Sequence, residues 1–416
     1  MLNKGQTIID SYNFFEDQHK LDTSIFLYKI FTPDTFNKGN FLTEVKSSKE
    51  FWKFADTMQE LRTAIYASEI LKVFSSKELD LIRKTSLEYG TLIKIFKRKT
   101  NPVGINHQLS SIPTLRIIES LKDKLGENPS IFEVGGGTGM LGHMCYRLGF
   151  KYTNFEVTKS FYTFNAMVLD TMYKNNFNDT HALKTEDLKK IPGSDSPMTM
   201  IPWWHFSNTE VPLPKFNIVV MNHCFFEMSR GSIAFLFTRL SYEVDGRVFL
   251  IVSEWGSRKY TEIDNDFLYW LEKEFDFRIE EFCGDPKINP AGTVFLSFAK
   301  KNPKKNYNYL PINERLGIKL LKNNNTKVKE IKKLFSRYIP HKVKIILKNF
   351  LVFSGKRNLI LGLRNPKFSK TKINILDYNK DYNDLKNLIT EIEKKLGSAI
   401  YTEDELKSFY TNTTIL

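Results

Sequence analysis

Ile131-Phe-Glu-Val-Gly-Gly-Gly-Thr-Gly-Met-Leu-Gly142 is the stretch that decides the fold. Ile131 to Val134 is a short apolar run with one acid in it, the pattern of a strand buried in a parallel sheet. Gly135, Gly137 and Gly139 follow at alternate positions, and Met140 to Leu148 then reads as a helix. Glycine lets a backbone turn tightly and come close to another group. A helix that starts at such a turn points unpaired N–H groups outward, where a ligand can take them. Strand, glycine turn and helix together make a ligand cradle at the carboxyl edge of an α/β sheet.

The glycines can be spelled in two ways. Gly137-Thr-Gly139-Met-Leu-Gly142 is G-x-G-x-x-G, the dinucleotide fingerprint. That fingerprint starts where its strand ends, and here two glycines intervene. The other spelling is acid-x-Gly-x-Gly-x-Gly over Glu133, Gly135, Gly137 and Gly139, and it fits without adjustment. In that form it resembles the first motif of class I methyltransferases that use S-adenosylmethionine (AdoMet). The resemblance implies that Glu133 helps hold the amino acid part of AdoMet, with the glycine turn beneath it. The bland alternative is a tight strand–helix turn that binds nothing.

Downstream of the turn, strands alternate with helices from Ser130 to Lys300, as in a doubly wound sheet. Strand one is 131–134 and strand two runs from Tyr152 to Val157, followed by a helix from Ser160 to Tyr173. Either His181-Ala-Leu-Lys or Met198-Thr-Met-Ile-Pro-Trp-Trp supplies strand three. Strand four is Phe216 to Asn222, a helix covers Ser232 to Tyr242, and strand five is Arg247 to Glu254. A helix from Ile263 to Glu274 precedes two last strands, Phe277 to Phe282 and Thr293 to Phe298. With no helix between them, these two pair antiparallel. A late hairpin of this kind is a feature of class I methyltransferases. The expectation is an α/β fold with a doubly wound, mostly parallel seven-stranded sheet over residues 128–300. An N-terminal helical extension (1–127) and a basic C-terminal appendage (301–416) flank it.

In the extension, Glu50-Phe-Trp-Lys-Phe-Ala-Asp-Thr-Met-Gln-Glu-Leu repeats apolar residues at helical spacing. Ser75-Ser-Lys-Glu78 matches a capping box. Pro113 suits the first turn of a helix from Thr114 to Leu125. The polar segment before it, with Asn106 and His107, reads as a loop. The methyltransferase resemblance implies that such an extension covers the cofactor and shapes the acceptor pocket, which makes His107 a candidate substrate contact; a solvated loop is the other reading.

The 416 residues include 41% hydrophobic and 14% aromatic side chains, enough for a sizeable core, which excludes wholesale disorder. Cys145, Cys224 and Cys283 are far apart and odd in number, which suits a reducing, cytoplasmic setting. The first residues lack a signal-like apolar core, and no run of 18 uncharged apolar residues occurs, so no membrane span is expected. Of the formal charge of +14, residues 301–380 alone carry +18, from 21 Lys and Arg against three acids. The rest of the chain is therefore mildly acidic. Lysines there alternate with Ile, Leu and Phe, which suits an anionic membrane surface, and no recognised fold supports a specific nucleic-acid site. A solvated appendage with biased composition is the alternative.

Several residues are candidates for chemistry. Glu156 ends strand two, where a carboxylate can take both hydroxyls of a ribose. Glu186 and Asp187 follow the first strand-three candidate and suit an adenine amino group. Asn222-His-Cys-Phe-Phe-Glu-Met228 leaves strand four at the ligand-binding edge, with Asn222 as a further cofactor contact. This ending, the Glu-Val-Gly-Gly-Gly-Thr-Gly start and the Ile-Pro-Trp-Trp run together resemble a bacterial family of sugar O-methyltransferases. Members of that family carry Ser-Phe-x-Glu-Met at the end of this strand, where this chain has Cys224 in place of Ser. The resemblance covers roughly residues 100–300. Sugar hydroxyls are poor acids, so a positioned base helps their methylation. His223 is the first candidate because imidazole titrates near neutrality. Glu227, one helical turn on, suits orienting its ring. A histidine that merely caps the loop is the competing reading. Glu254, at the end of strand five, and His205 are reserve bases. Trp203 and Trp204 suit stacking on adenine or on a sugar face, or else are core. No pair of Asp is placed to hold a divalent ion, so no metal is expected. The whole points to an AdoMet-dependent O-methyltransferase for a sugar or saccharide precursor. A methyltransferase for a lipid or other small molecule, and a silent adaptor that binds membrane or nucleic acid through its basic tail, are the rivals.

Overall fold

The structure is a computed structural model. It describes residues 2–22, 45–53, 75–95, 105–191, 196–222, 224, 228, 230–243, 248–254, 273, 275–283 and 294–300. The expected appendage at 301–416 and the expected helix at 263–274 lie outside these residues, apart from Lys273.

Among the described residues three helices precede the sheet: α1 (Leu2–Asp22), α2 (Ser76–Ile95) and α3 (Ile105–Leu125). The capping box at the start of α2 forms as its sequence dictates. The Ser75 N–H donates to Glu78 Oε2 at 2.7 Å, and the Glu78 N–H donates back to Ser75 Oγ at 3.3 Å. Arg116 of α3 donates to both oxygens of Glu78, at 2.5 and 2.8 Å, so the cap also fastens α2 to α3. Helix α3 departs from expectation. It begins at Ile105 and continues across Pro113, so Asn106 and His107 sit on a helix and not in a loop. Proline deletes one rung of the hydrogen-bond ladder. Burial of Ile112, Leu115, Ile118 and Leu121 along one stripe holds the helix together regardless.

The sheet then builds from β1 (Ser130–Val134), α4 (Met140–Arg147), β2 (Lys151–Glu156), α5 (Lys159–Tyr173), β3 (Phe177–Asp179), the single turn α6 (Thr185–Leu188), β4 (Met198–Pro202) and the short α7 (Trp203–Ser207). It continues through β5 (Ile218–Asn222), α8 (Arg230–Tyr242), β6 (Phe249–Glu254), β7 (Phe277–Cys283) and β8 (Val294–Lys300). The order is β3-β4-β2-β1-β5-β6-β8-β7. The first six of these strands are parallel, and β8 runs against both of its neighbours, so the late antiparallel pair is present.

Eight strands are seen among the described residues where seven were expected. The addition is β3, a three-residue edge strand on the outer side of β4. Of the two strand-three candidates, Met198–Pro202 is the strand. All five of its residues are buried and it pairs with Tyr152–Glu156. His181 to Lys184 is a turn, closed by the Leu183 N–H donating to Thr180 O at 3.0 Å.

Alternation along the strands sends the two faces of the sheet to different partners. Phe155 stacks on Phe206, Phe132 packs tilted against it, and Phe206 meets Phe235 of α8 edge-on. On the other face, Gly142 of α4 lies directly over the Tyr152 ring. The described helices of the N-terminal extension join the same core: Ile9, Tyr12, Ile82, Ile112 and Ile118 are buried together with the strand residues. The sheet is therefore covered on both faces, and its carboxyl edge is where the glycine turn emerges.

Candidate functional site

Glu133, Glu156 and Asn222 come from three adjacent strands and meet at the carboxyl ends of β1, β2 and β5. The turn after β1 is pinned from its first residue, because the Gly135 N–H donates to Phe155 O at 2.8 Å. Gly135, Gly137 and Gly139 have φ of +70°, +56° and +74°, a left-handed backbone that costs other residues about 1–2 kcal/mol. At Gly137 nothing among the described residues, its chain neighbours aside, lies within 4 Å of where a Cβ would stand, so the turn has an open side there. Gly139 is confined instead: a Cβ would lie 2.4 Å from Asn165 Oδ1.

Two asparagines brace the turn. The Gly136 N–H donates to Asn154 Oδ1 at 3.2 Å, and Asn165 Nδ2 donates to Gly137 O at 2.7 Å. Both side chains are fully buried. Asn165 Oδ1 and Asn154 Nδ2 have no hydrogen-bond partner. Sequence reading missed both residues, although a signal existed. Tyr152, Asn154 and Glu156 occupy alternate positions of a strand that should be apolar throughout. Period-two spacing puts all three on one face, toward the turn.

Glu156 is buried at 3% exposure, and its carboxylate closes the cradle. Oε1 accepts the Thr158 N–H at 2.8 Å and Oε2 accepts the Gly137 N–H at 3.4 Å. Burial pushes its carboxyl up to about 7, against these hydrogen bonds, which pull it down. Glu133 is buried at 2% exposure and is likewise pushed up to about 7, chiefly by burial. The Tyr152 hydroxyl donates to Glu133 Oε2, and Asn222 Nδ2 approaches Oε1 at 3.4 Å. Asn222 Oδ1 in turn accepts from Thr114 Oγ1 of α3 at 3.0 Å, which ties the N-terminal extension into the site. Cys224 Sγ donates to Val134 O at 3.1 Å, beside Gly135.

This arrangement suits a ligand with hydroxyl donors and a cationic end. Two buried carboxylates lie along one turn. Their hydrogen bonds leave acceptor capacity unused, since an ionised carboxylate has about four lone-pair sites. Among the described residues no ion pair reaches either of them. A ribose suits Glu156 beside the open turn, and an ammonium suits Glu133. The residues present therefore fit AdoMet.

Other expected site residues are placed differently. Trp203 and Trp204 are 1% and 2% exposed, so they belong to the core and not to a sugar- or adenine-stacking surface. Trp203 Nε1 donates to Glu16 of α1 at 3.2 Å, and Trp204 packs edge-on against Tyr12 and stacks with His19. His205 is also buried, and burial together with His19 pulls its imidazole down to about 3. A group that weakly basic is a poor proton acceptor, which counts against His205 as the reserve base. Glu186 and Asp187 lie exposed on α6, directly after the His181–Lys184 segment that is a turn and not the expected strand, and Asp187 is bonded to Lys190 at 2.9 Å. His223 and Glu227 lie outside the described residues. Glu254 ends β6 opposite Val294, and its side chain, like that of His107, is outside them too. Among the described residues no group of three or more His, Cys, Asp or Glu is placed to hold a metal ion.

No protein-family model matches this chain, and no curated protein matches it. Solved structures do resemble it. Magnesium protoporphyrin IX methyltransferase from Synechocystis PCC 6803, with bound AdoMet, is 12% identical with a TM-score of 0.31, over 47% of this chain and 81% of that one. The 1,6-didemethyltoxoflavin-N1-methyltransferase of Burkholderia thailandensis, with bound S-adenosylhomocysteine, is 11% identical with a TM-score of 0.31, over 54% and 88%. A glycopeptide N-methyltransferase complexed with sinefungin is 12% identical with a TM-score of 0.31, over 45% and 86%.

Proposed function

We propose that this chain is an AdoMet-dependent methyltransferase that transfers a methyl group to a hydroxyl of a sugar or saccharide precursor. The observation that carries the cofactor half is the closure of the glycine turn by a buried carboxylate. Glu156 is held by the N–H groups of Gly137 and Thr158, next to a turn with open space within 4 Å of a Cβ at Gly137 among the described residues. When bound, AdoMet supplies an electrophilic methyl on a sulfonium. Glu156 takes the ribose hydroxyls, Glu133 with Asn222 takes the amino acid end, and Asn154 and Asn165 keep the turn in shape.

The acceptor half rests on the stretch that follows β5. Asn222-His-Cys-Phe-Phe-Glu-Met228 resembles the corresponding stretch of sugar O-methyltransferases, and His223 directly follows the strand end that carries Asn222. His223 is the proposed base that takes the hydroxyl proton, with Glu227 as its orienting acid and Glu254 in reserve. The basic segment 301–380 fits an enzyme that works at the cytoplasmic membrane surface on a lipid-linked saccharide. No helix among the described residues is long and apolar enough to cross a membrane. Incubation of the full chain with methyl-labelled AdoMet, nucleotide sugars and cell-envelope saccharides tests this reading. Label should appear in a saccharide fraction and disappear with His223→Ala. Label confined to lipid or small-molecule fractions would replace the acceptor class, and no transfer to any of them would refute the enzyme.

A further inference from the structure

Gly142 and Tyr152 form a pair that the reading above leaves unused. Gly142 sits on the inner face of α4, and a Cβ there would lie 2.3 Å from Tyr152 Cε1 and 2.5 Å from Cζ. The missing side chain is what lets the Tyr152 ring lie flat between helix and strand. From that position its hydroxyl donates to Glu133 Oε2. The ring itself is 2% exposed and the carboxylate it touches is 2% exposed. A phenol buried this way is normally a space-filler with a satisfied polar tip. Here the tip is spent on a carboxylate of the candidate cofactor site.

We propose that Tyr152 is a positioning residue of the cofactor site, holding the Glu133 carboxylate in the orientation and ionised form that accept the cofactor's ammonium. The inference rests on the AdoMet reading above. The groups that face Glu133 come from each element around it. Tyr152 and Glu156 belong to β2, Cys145 to α4 and Asn222 to β5, with Thr114 of α3 behind Asn222. Burial and the Glu156 charge favour the neutral acid, and only the hydrogen bonds from Tyr152 and Asn222 favour the carboxylate. Tyr152 itself stays a phenol, because burial and the Glu133 charge raise it well above its ordinary value. Loss of the hydroxyl therefore makes Glu133 harder to ionise, and more alkali is needed before the site can take a cation.

Titration of the full chain with AdoMet and with adenosine, from pH 6 to 8.5, tests this. Adenosine lacks the amino acid end and is read by the Glu156 side of the turn. Tyr152→Phe keeps the ring over Gly142, so folding should survive, with the thermal melt as a check. It should weaken AdoMet about tenfold at pH 7, move the midpoint of the pH profile upward and leave adenosine unchanged. In a Glu133→Gln background the same substitution should add nothing. Unchanged AdoMet affinity and midpoint in Tyr152→Phe would overturn the inference, as would equal weakening of AdoMet and adenosine. Should Tyr152→Phe fail to fold, Gly142→Ala decides, since its Cβ would stand 2.3 Å from the Tyr152 ring and displace it; it should move the same midpoint upward, and an unmoved midpoint would overturn the inference. A wild-type chain that binds neither ligand would refute the cofactor reading itself, and this inference with it.

Discussion

Replacement of Glu156 by Gln is the sharpest probe of the site, because it keeps shape and removes charge. In the native chain one oxygen accepts the Thr158 N–H and the other the Gly137 N–H. Gln keeps one acceptor, and its NH2 then faces a donor. Toward a ligand, the carboxylate accepts two ribose hydroxyls through charge-assisted hydrogen bonds, worth about 1.5–3 kcal/mol each, and an amide oxygen accepts one at about 1 kcal/mol. The gross loss is about 3 kcal/mol. Against it stands the cost of ionising an acid that burial has pushed up to about 7. That cost is about 0.4 kcal/mol at pH 7, about 1.4 at pH 6 and close to zero at pH 8. The ratio of mutant to native Kd for AdoMet should therefore grow with pH, from about tenfold at pH 6 to about a hundredfold at pH 8. Calorimetry at three pH values reads this directly. Native binding should release protons, visible as a dependence of the measured heat on the buffer. A ratio near one at pH 8, or one that does not change with pH, would refute the role given to Glu156.

Two further outcomes follow from the same residues. Glu133 and Glu156 each stand at about 7 in the folded chain against 4.5 for a free carboxyl, so the folded state binds more protons between those values. Stability from this source is full below about pH 4.5 and is lost as pH rises through about 7. The urea midpoint should fall from pH 5 to pH 7.5, and less so in Glu156→Gln; a midpoint that rises equally in both proteins would contradict the assignment. Separately, Glu16 and Lys159 form a buried ion pair at 2.9 Å, with side chains 2% and 8% exposed, and Glu16 also accepts from Trp203. Glu16→Ala removes the buried carboxylate that pairs with the Lys159 ammonium and should cost about 3–5 kcal/mol, read as a large drop in Tm. A change below about 1 kcal/mol would mean that Lys159 reaches water without α1.

Much of this architecture was legible in the chain. The glycine turn, β1, β2, β5, α4 and α5 announce themselves through local spacing, and the short sequence between the last two strands predicts the antiparallel pairing they show. Three features escaped for tertiary reasons. A three-residue edge strand such as β3 carries no period of its own and exists because β4 offers it a partner. Pro113 reads as a helix start, and the stripe from Ile112 to Leu121 overrides it by burial. Trp203, Trp204 and His205 look like a ligand-facing cluster until α1 is placed over them, and sequence does not announce that packing. In the site, Glu133 and Glu156 were found from motif spacing. Asn154, Asn165, Tyr152 and Thr114 were not, because each acts across a strand or helix boundary. Gly142 was visible as the third glycine of a dinucleotide fingerprint. Its observed role is close approach to Tyr152, which either spelling of the motif allows.

The central claim is that the turn from Gly135 to Gly139 binds AdoMet, and one titration tests it most directly. The full chain is titrated with AdoMet, S-adenosylhomocysteine and NAD, alongside Gly137→Val. The first two ligands should bind and NAD should not. The valine, forced into a left-handed backbone with its side chain on the open side of the turn, should weaken AdoMet at least tenfold, about 1.4 kcal/mol. Preference for NAD, or AdoMet binding that Gly137→Val leaves intact, would contradict the account.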